Sequence, residues 1–465
     1  MRTPGTLLAV LLSLICGGAS AAGGRSEVRP VVEIEEDVYS YQEADNGAGP
    51  LWSYGSTCLA RVGPRVFISG LETIPGARPL NNVRWKLFSR SRSGWKAAAT
   101  GAGRTREPCP LACFPDGSLF LSGNPTLTGT EEAAGPARPE IVVFRASDPA
   151  ARVRTLIPEW EGSPPFTEHS YRSFAADASK RELVLFQNVG YTHAEWTFRD
   201  EAGRWAAHGR LSWPWGADYP EPQPIRICYP TVALKDRRVY FCGVSDIVEP
   251  YPQWRAYKRD LTGRDWDYDF RRLFFTWSDD ITTGRFHDWV EISSRDKTCG
   301  WIMPCDLWVA PDGAVHLLWT ERAIDERLRE RFFPGEKQTH ALMYAVVRGG
   351  EVVLKRPLLL GGEGASSEIP GDGRFHVTPD GRLFVFCYVG GTASDGGAIS
   401  ENRLFEILPD GADMPPVVVG LKRPFTRFYT ATWRAGSLPS AALDAYGIQE
   451  GKGNSLSYAR IRLGP

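Results

Sequence analysis

The chain has 465 residues, and its 54 basic and 55 acidic side chains give a formal net charge of −1 at pH 7. This balance argues against a nucleic-acid partner or an anionic membrane surface that is bound through net charge. The 48 Gly, 35 Pro, 16 Trp and 16 Tyr residues are typical of an all-β chain with many turns.

The N-terminal residues have the pattern of a secretory signal peptide. Arg2 supplies a positive charge, Leu7–Ile15 is apolar, and Ala19–Ala21 offers small residues for cleavage. We predict cleavage after Ala21, so that residues 1–21 are removed and the mature protein is secreted or periplasmic. Lipid attachment at Cys16 is the alternative, although Ile15 is larger than the residue expected before a lipidated cysteine. No other stretch approaches the ~20 apolar residues of a membrane span.

One short pattern, an apolar strand introduced by a turn, recurs seven times along the chain. The copies start 53, 64, 56, 76, 68 and 55 residues apart, and three of them follow Pro-Asp-Gly, a tripeptide that favours tight turns. This periodicity in a strand-rich chain predicts a β-propeller, here a single seven-bladed domain over residues 30–465. The seven copies are Arg65–Gly70, Ser118–Gly123, Glu182–Asn188, Arg238–Gly243, Ala314–Thr320, Arg382–Cys387 and, more weakly, Ser437–Tyr446.

Two further elements complete the predicted fold. A propeller usually closes with strands from both chain ends in one blade, because an open ring exposes sheet edges. Ser455–Leu463 alternates between apolar and polar residues, and we expect it to pair with Val31–Tyr39. Ala323–Phe332 carries charge pairs at i,i+4 spacing and is the one segment expected to form a short helix.

Two of the seven histidines lie on either side of the third repeat strand. His169 stands in Thr-Glu-His-Ser-Tyr-Arg (167–172), and His193 stands in Gly-Tyr-Thr-His-Ala-Glu-Trp (190–196). Neighbouring antiparallel strands of one blade can bring such segments to the same rim, so we expect a catalytic pair. Two structural histidines are the alternative. Asn188 and Tyr191, from the same stretch, are candidate substrate-binding residues.

The next repeat supplies Tyr229 and a segment that we expect to form a loop, the basic and aromatic Tyr251–Arg255. A cation beside a tyrosine stabilises the phenolate and lowers its pKa, so Tyr229 is a candidate acid or base. Arg255 can bind a carboxylate through two parallel hydrogen bonds, and Trp254 is a candidate for stacking on a sugar. The alternative is a core tyrosine and a surface arginine.

The cysteines allow two kinds of site. His287, Cys299 and Cys305 lie within 19 residues, which fits three ligands of a tetrahedral structural zinc. The fourth ligand could be Asp288, Asp306 or a residue from elsewhere in the chain. A Cys299–Cys305 disulfide is the alternative. The eight cysteines that follow the predicted cleavage site also suggest disulfides in an exported chain, and Cys109 with Cys113 is one possible pair.

Together, four segments resemble exported bacterial seven-bladed propellers with BNR repeats, which are related to polysaccharide lyases of the ulvan-lyase type. The segments are Asn46–Ser56, His-Ser-Tyr-Arg at 169–172, Gly-Tyr-Thr-His-Ala-Glu-Trp at 190–196, and the His287, Cys299 and Cys305 group. The resemblance spans nearly the whole mature chain. It implies two catalytic histidines, a tyrosine and an arginine, with a structural zinc held by histidine and cysteine.

Carried over by position, the resemblance assigns catalysis to His169, His193, Tyr229 and Arg255. In β-elimination at a uronate, Arg255, helped by donors such as Asn188, would neutralise the carboxylate and stabilise the enolate-like intermediate. His169 or Tyr229 would remove the C5 proton, and Tyr229 or His193 would protonate the leaving O4. No redox cofactor is needed for this chemistry.

Our leading hypothesis is therefore a monomeric polysaccharide lyase that acts on an anionic, ulvan-like or rhamnose–glucuronate glycan. One alternative is a glycoside hydrolase on rhamnose–glucuronate linkages, which normally needs two carboxylates about 5–9 Å apart. Another is a non-catalytic carbohydrate-binding propeller, since a fold alone does not determine function.

Overall fold

The computed structural model describes residues 28–52, 54–393 and 395–464. The predicted signal peptide and the alternative lipidation site at Cys16 lie outside these described residues. The described chain forms seven four-stranded antiparallel sheets, and the first strands of successive sheets pack against one another around a central channel. The predicted seven-bladed β-propeller is confirmed. No helix in the described ranges is long and apolar enough to cross a bilayer.

Blades 1 to 6 are each formed by four strands that follow one another in the chain, and blade 7 combines both chain ends. The strands are Leu59–Val62, Arg65–Thr73, Val83–Ser91 and Gly94–Thr100 in blade 1; Leu111–Cys113, Ser118–Gly123, Glu140–Arg145 and Asp148–Leu156 in blade 2; Ser173–Asp177, Glu182–Val189, His193–Arg199 and Trp205–Ser212 in blade 3; Ile227–Lys235, Arg238–Ser245, Arg272–Ser278 and Val290–Ser294 in blade 4; Trp301–Val309, Val315–Arg322, Thr339–Arg348 and Glu351–Gly362 in blade 5; Glu368–Val377, Leu383–Thr392, Ala398–Ile407 and Val417–Val419 in blade 6; and Phe425–Thr430, Ala442–Gln449, Ser455–Gly464 and Arg29–Ser40 in blade 7. Two short hairpins pair Trp215–Gly216 with Gln223–Pro224, and Ile247–Val248 with Tyr268–Asp269.

Each predicted repeat strand overlaps the second strand of a blade. The three Pro-Asp-Gly turns connect the first and second strands of blades 2, 5 and 6. Their glycines Gly117, Gly313 and Gly381 have φ angles of 88°, 85° and 81°, which side chains with a Cβ rarely adopt. The repeat is therefore the turn at one end of each blade together with the buried strand that follows it.

The predicted closure is also confirmed. Arg29–Ser40 pairs antiparallel with Ser455–Gly464 as the outermost strand of blade 7, so that Val32 lies opposite Ile461. Ile461 is fully buried, and Val32 packs against the same apolar cluster. The N-terminal strand thus covers an edge that blade 7 would otherwise expose.

Two helical segments lie in insertions. The helix predicted over Ala323–Phe332 is found as a 3₁₀ turn, Glu326–Leu328, followed by a short α-helix, Arg329–Phe332. A longer α-helix, Pro252–Thr262, begins with proline in its first turn and ends at Gly263, whose φ is 68°. We expected a loop there, and that expectation was wrong. The helix belongs to the insertion between the second and third strands of blade 4.

A segment that follows the first strand of blade 7, residues 431–437, occupies the channel. Arg434 donates two hydrogen bonds to Asp306 Oδ1 of blade 5, at 2.6 and 3.0 Å. Its remaining guanidinium nitrogen donates to the carbonyl oxygens of Gly55, just before blade 1, and Val232 of blade 4. Arg434 is only 4% exposed, and so one buried guanidinium links three blades to the seventh.

The backbone of the same segment reaches two more blades. The Arg434 carbonyl accepts from the Ala176 amide of blade 3, and the Ala435 carbonyl accepts from the Cys113 amide of blade 2. The Ser437 hydroxyl accepts from the Arg61 amide of blade 1 at 3.0 Å. The segment therefore fills the channel and separates its two ends.

We predict that Arg434→Met lowers the free energy of unfolding by about 3–5 kcal/mol, because it leaves the Asp306 carboxylate buried without its cation. Urea denaturation measures this change. As a control, Arg348→Met removes a solvent-exposed ion pair with Asp312 and should change the free energy by less than about 1 kcal/mol. Equal urea-denaturation midpoints for the two variants would show that the buried ion pair of Arg434 does not stabilise the fold.

Candidate functional site

The channel mouth, defined as the end at which the first strand of every blade begins, carries three tyrosines in an unusual backbone conformation. Tyr54, Tyr171 and Tyr229 have φ angles of 33°, 43° and 49°. They stand at or before the first strands of blades 1, 3 and 4. A left-handed residue other than glycine costs about 1–3 kcal/mol, and such strain concentrates at functional sites.

The rings of these tyrosines meet around one tryptophan. Trp52 stacks on Tyr171 with ring centroids 4.8 Å apart, and its ring lies 5.3 Å from Tyr229 and 5.7 Å from His169. Tyr54 contacts Tyr229 edge-on at 4.9 Å. We call Trp52, Tyr54, His169, Tyr171 and Tyr229 the aromatic cluster.

Buried polar groups fix the chain segments that carry the cluster. The fully buried Glu107 carboxylate accepts from the Ser170 amide at 2.6 Å, from the Ser170 hydroxyl, and from the Tyr171 amide. The Asn188 side chain donates to the Ile227 carbonyl at 2.9 Å, and the Asn188 amide donates to the Ser170 carbonyl. Asn188, which we predicted to bind substrate, is buried and connects the segment before blade 3 with the start of blade 4.

One arginine at the mouth is paired and lies beneath aromatic rings. Arg226 forms a buried ion pair of 2.6 Å with Asp246, and its guanidinium carbon lies 3.8 Å from the centroid of the Tyr191 ring. The Tyr191 and Tyr268 hydroxyls are 2.8 Å apart, and Arg226 also faces the rings of Tyr268 and Tyr171. Tyr191 is 47% exposed, so its ring is the accessible surface of this group.

A second arginine lies against the other side of the cluster. The Arg106 guanidinium is 5.5 Å from the Trp52 ring centroid, and its Nε donates to the Asn46 carbonyl at 2.9 Å. Arg106 Nη1 is buried and has no hydrogen-bond partner among the residues that the structure describes, and the same holds for His169 Nε2. Most buried polar groups have a hydrogen-bond partner. Two unpartnered polar atoms beside the Trp52 ring therefore make this part of the mouth a candidate binding site.

The electrostatics keep His169 neutral and the tyrosines protonated. Burial, together with the positive charges of Arg106 and Arg226, lowers the pKa of His169 to about 3. Burial and the nearby Asp246 raise the pKa values of Tyr171 and Tyr229 above their ordinary range. At neutral pH the cluster therefore presents an uncharged imidazole and phenol hydroxyls that carry their protons.

Of the predicted catalytic residues, the structure brings His169 and Tyr229 together and leaves the other two elsewhere. His193 begins the third strand of blade 3, where its ring nitrogens contact Thr192 at 2.7 Å and Glu195 at 3.1 Å. Burial and Arg210 lower its pKa. Arg255 lies on the insertion helix, is exposed, and donates to the Asp265 carbonyl. No described contact connects either residue with the aromatic cluster.

The predicted substrate-binding residues are divided in the same way. Tyr191 lies at the mouth beside Arg226, where a ligand can reach it. Trp254 is 7% exposed and packs in the insertion, with its ring 5.1 Å from the Arg271 guanidinium carbon and 5.5 Å from the Phe333 ring. It supports the helix and does not present a face to a sugar.

The structure does not group the three predicted zinc ligands. His287 stacks on Trp277 and contacts Asp279 at 2.7 Å on the surface. Cys299, which follows the last strand of blade 4, is buried against Trp254 of the insertion helix, and Cys305 is buried between blades 5 and 6. Among the described residues no group of three or more His, Cys, Asp or Glu side chains is placed to hold a metal ion.

The surroundings of Cys299 also differ from those of a zinc ligand. Its sulfur lies 3.1 Å from Arg271 Nη1, and Arg271 pairs with Glu249 at 2.8 Å, which in turn pairs with Lys258 at 2.7 Å. Burial raises the pKa of Cys299 to about 12, and the charged side chains around its sulfur are the cations Arg271 and Lys258 with their partner Glu249. These residues do not fit zinc, and ion pairs connect the insertion helix to the ring.

The cysteines in the described part of the chain are not cross-linked. The eight described cysteines, Cys109, Cys113, Cys299 and Cys305 among them, are buried thiols. Neither of the disulfides that we considered from the sequence is formed. Each of these thiols behaves as a small apolar side chain of the interior.

The comparisons with known proteins concern the fold. No family model and no curated protein sequence matches the chain. The crystal structure of the polysaccharide lyase Uly1 is similar at 13% identity and a TM-score of 0.52, with 93% of each chain covered. A Penicillium chrysogenum α-L-arabinanase in complex with arabinobiose is similar at 12% identity and a TM-score of 0.39, with 93% of this chain and 98% of that chain covered. At 13% identity, the likeness to Uly1 shows a shared fold and no more.

Sequence reasoning missed both arginines of the mouth and the role of Trp52. A usable signal existed for Arg226, which stands three residues before Tyr229, and for Trp52, which lies in the segment Asn46–Ser56. Arg106 follows the outer strand of blade 1 and reaches Trp52 only through the fold. No local pattern around Arg106 points to it.

We predict that Glu249→Gln lowers the melting temperature, because it leaves Arg271 and Lys258 without their shared carboxylate, a loss of about 3–5 kcal/mol for a buried pair. Treatment of the unmodified protein with a strong chelator should leave the melting temperature unchanged. Differential scanning calorimetry tests both statements. A clear decrease in the melting temperature with chelator, reversed by added zinc, would instead support the structural zinc that the sequence predicted.

Proposed function

We propose that this protein is a polysaccharide lyase that cleaves a uronate-containing glycan by β-elimination at the aromatic cluster. The observation that carries the proposal is the pair of unpartnered buried atoms, Arg106 Nη1 and His169 Nε2, which belong to two side chains on the same Trp52 ring. A uronate carboxylate accepts from a guanidinium, and a neutral imidazole accepts a proton. Export through residues 1–21 is part of this proposal.

The reaction needs three protein groups and no cofactor. A base removes the C5 proton, the electrons of the C5–H bond form the C4=C5 double bond, and the C4–O4 bond breaks. An acid protonates the leaving O4. Because a charged carboxylate makes the C5 proton less acidic, a cation that neutralises it stabilises the enolate-like intermediate, and such electrostatic stabilisation is usually the largest contribution to catalysis.

We assign the cation to Arg106, the base to His169 and the acid to Tyr229. Arg106 pairs with no carboxylate in the described part of the chain, whereas Arg226 is paired with Asp246. The lowered pKa of His169 leaves its imidazole neutral, so it is not already protonated when a substrate arrives. The raised pKa of Tyr229 keeps its hydroxyl protonated, so it has a proton to donate to O4.

The exposed aromatic rings suit a sugar chain. Tyr191 is largely exposed, and Trp52 and Tyr54 are partly exposed at the same mouth. A flat ring with a polar edge can contact the apolar face of a sugar while it hydrogen bonds at its rim. Arg226, which is paired with Asp246, lies beneath the Tyr191 ring and holds it in place.

Three carboxylates at the mouth are already bound by other protein groups, and this favours elimination over hydrolysis. A glycosidase needs two carboxyl groups free to act on the glycosidic bond. Here Glu107 is used by Ser170 and Tyr171, and Asp246 is used by Arg226. Asp372 is used by Arg374 and by the Phe428 amide. Each of these carboxylates already holds part of the protein together.

The decisive experiment follows ultraviolet absorbance while the purified protein acts on uronate polysaccharides, with ulvan and rhamnose–glucuronate glycans included. The proposal expects rising absorbance from an unsaturated uronate. New reducing ends without absorbance would instead mean hydrolysis. Retention of the protein on a glycan without either signal would mean a binding propeller.

Variants then test the assigned roles. His169→Ala, Tyr229→Phe and Arg106→Gln should each reduce kcat/KM at least about 100-fold, the typical contribution of a positioned acid or base, with unchanged melting temperature. Arg285→Gln, at an exposed arginine away from the cluster, is the matched control and should retain full turnover. If Arg255→Gln abolishes turnover while Arg106→Gln does not, the cation is Arg255 and our assignment is wrong.

The pH dependence gives a separate test of the base. The acid limb of kcat/KM reports the pKa of the free enzyme's base, and a His169 pKa of about 3 places that limb well below the ordinary histidine value. We expect kcat/KM to stay constant from pH 7 down to about pH 5, because His169 remains neutral over that range. A decline centred near pH 6.5 would show that a histidine with an ordinary pKa is the base.

A further inference from the structure

A second polar cleft opens at the channel mouth beside the aromatic cluster, between blades 5, 6 and 7. Its volume is about 280 Å³, and Tyr54 forms one wall. Three basic side chains line it, Arg322, His340 and Arg427. The ring of Tyr54 contacts Tyr229 on one side and lies 5.2 Å from the Arg427 guanidinium carbon on the other. One aromatic ring therefore separates the cleft from the proposed acid.

Blade 5 places two of the basic residues side by side. Arg322 ends the second strand and lies opposite His340, at the start of the third strand, and opposite Trp301, at the start of the first. Arg322 Nε is buried without a hydrogen-bond partner, and within the described ranges the guanidinium pairs with no carboxylate. Burial, followed by the charge of Arg322, lowers the pKa of His340, and Glu326 opposes this shift.

The two carboxylates of the cleft are already neutralised. Glu321 accepts from Ser293 at 2.9 Å and from the Trp319 indole at 2.8 Å, and it pairs with Arg295. Asp372 pairs with Arg374 at 3.0 Å. The positive charges of Arg322 and Arg427 are therefore left to a ligand.

We propose that this cleft is a second anion subsite, which binds a carboxylate or sulfate ester on a sugar next to the one cleaved at the aromatic cluster. That the anion belongs to a glycan rests on the proposed function. A carboxylate and a sulfate ester are both oxyanions, and two guanidinium groups can hold either of them. Tyr54 supplies a continuous surface between the cleft and the aromatic cluster. The subsite selects a polymer with acidic groups on successive units.

The first test measures anion binding and does not depend on catalysis. Isothermal titration calorimetry with inorganic sulfate, and separately with free glucuronate, should show binding to the unmodified protein. Arg322→Gln and Arg427→Gln should each weaken the binding of whichever anion binds more tightly, sulfate or glucuronate. We expect the affinity to fall at least about tenfold, since each substitution removes a charged hydrogen-bond donor. Arg92→Gln, at an exposed arginine in a turn of blade 1, is the matched control and should bind normally.

Arg106→Gln separates the subsite from the proposed function. If it abolishes turnover and leaves sulfate binding intact, the two sites are distinct, as proposed. If Arg322→Gln and Arg427→Gln bind sulfate and glucuronate like the unmodified protein, the subsite is wrong even where turnover is observed. Arg427 is exposed, so Arg427→Gln remains informative if Arg322→Gln fails to fold.

The second test uses a glycan that is cleaved. Loss of binding energy shared by the ground and transition states raises KM without changing kcat, and we expect this for Arg427→Gln on a polymer. The same variant should cleave an oligosaccharide with a single acidic unit normally. An equal effect on both substrates would place Arg427 at the cleaved unit and overturn the subsite.

Discussion

The ion pair between Arg434 and Asp306 is the contact on which the arrangement of the blades depends. Its guanidinium connects blade 7 with blade 5 and, through the carbonyls of Gly55 and Val232, with the start of blade 1 and with blade 4. Propeller blades otherwise contact mainly their neighbours, so such a ring lacks contacts across its centre. The channel segment supplies them and fixes the relative positions of first strands whose ends form the mouth.

This rigidity explains how three strained tyrosines persist in one place. Each left-handed tyrosine costs about 1–3 kcal/mol, and the strain survives only where the surrounding contacts overdetermine the backbone. Gly55 illustrates the constraint, because a Cβ there would lie 2.0 Å from the Pro230 carbonyl oxygen. The chain before blade 1 therefore packs directly on the segment that carries Tyr229. The buried carboxylate of Glu107 holds Tyr171 in the same way.

The sequence predicted the fold well because the signals for the fold come from residues that are adjacent in the chain. A Pro-Asp-Gly turn and the buried strand after it are adjacent residues, and the pairing of Arg29–Ser40 with Ser455–Gly464 follows from the need to cover an edge. The site was predicted less well because it is assembled from separate blades. His169 and Tyr229 meet through Trp52, more than 100 residues before either. Short spacing also suggested a zinc site, but Cys299 precedes the first strand of blade 5 and Cys305 lies within that strand, so the two are buried in different clusters.

The near-zero net charge of the chain conceals a strongly uneven distribution at the mouth. Arg106, Arg322 and Arg427 have no carboxylate partner among the described residues, while the nearby carboxylates are buried in contacts that hold the fold. A concave surface lined by one sign of charge concentrates ligands of the opposite sign, whatever the total charge of the protein. Net charge therefore excludes partners bound by the whole surface, but it does not exclude an anionic chain bound at one end of the channel. Acidic groups spaced along such a chain would meet two positive positions separated by Tyr54, and this spacing, more than the overall charge, would determine which glycan binds.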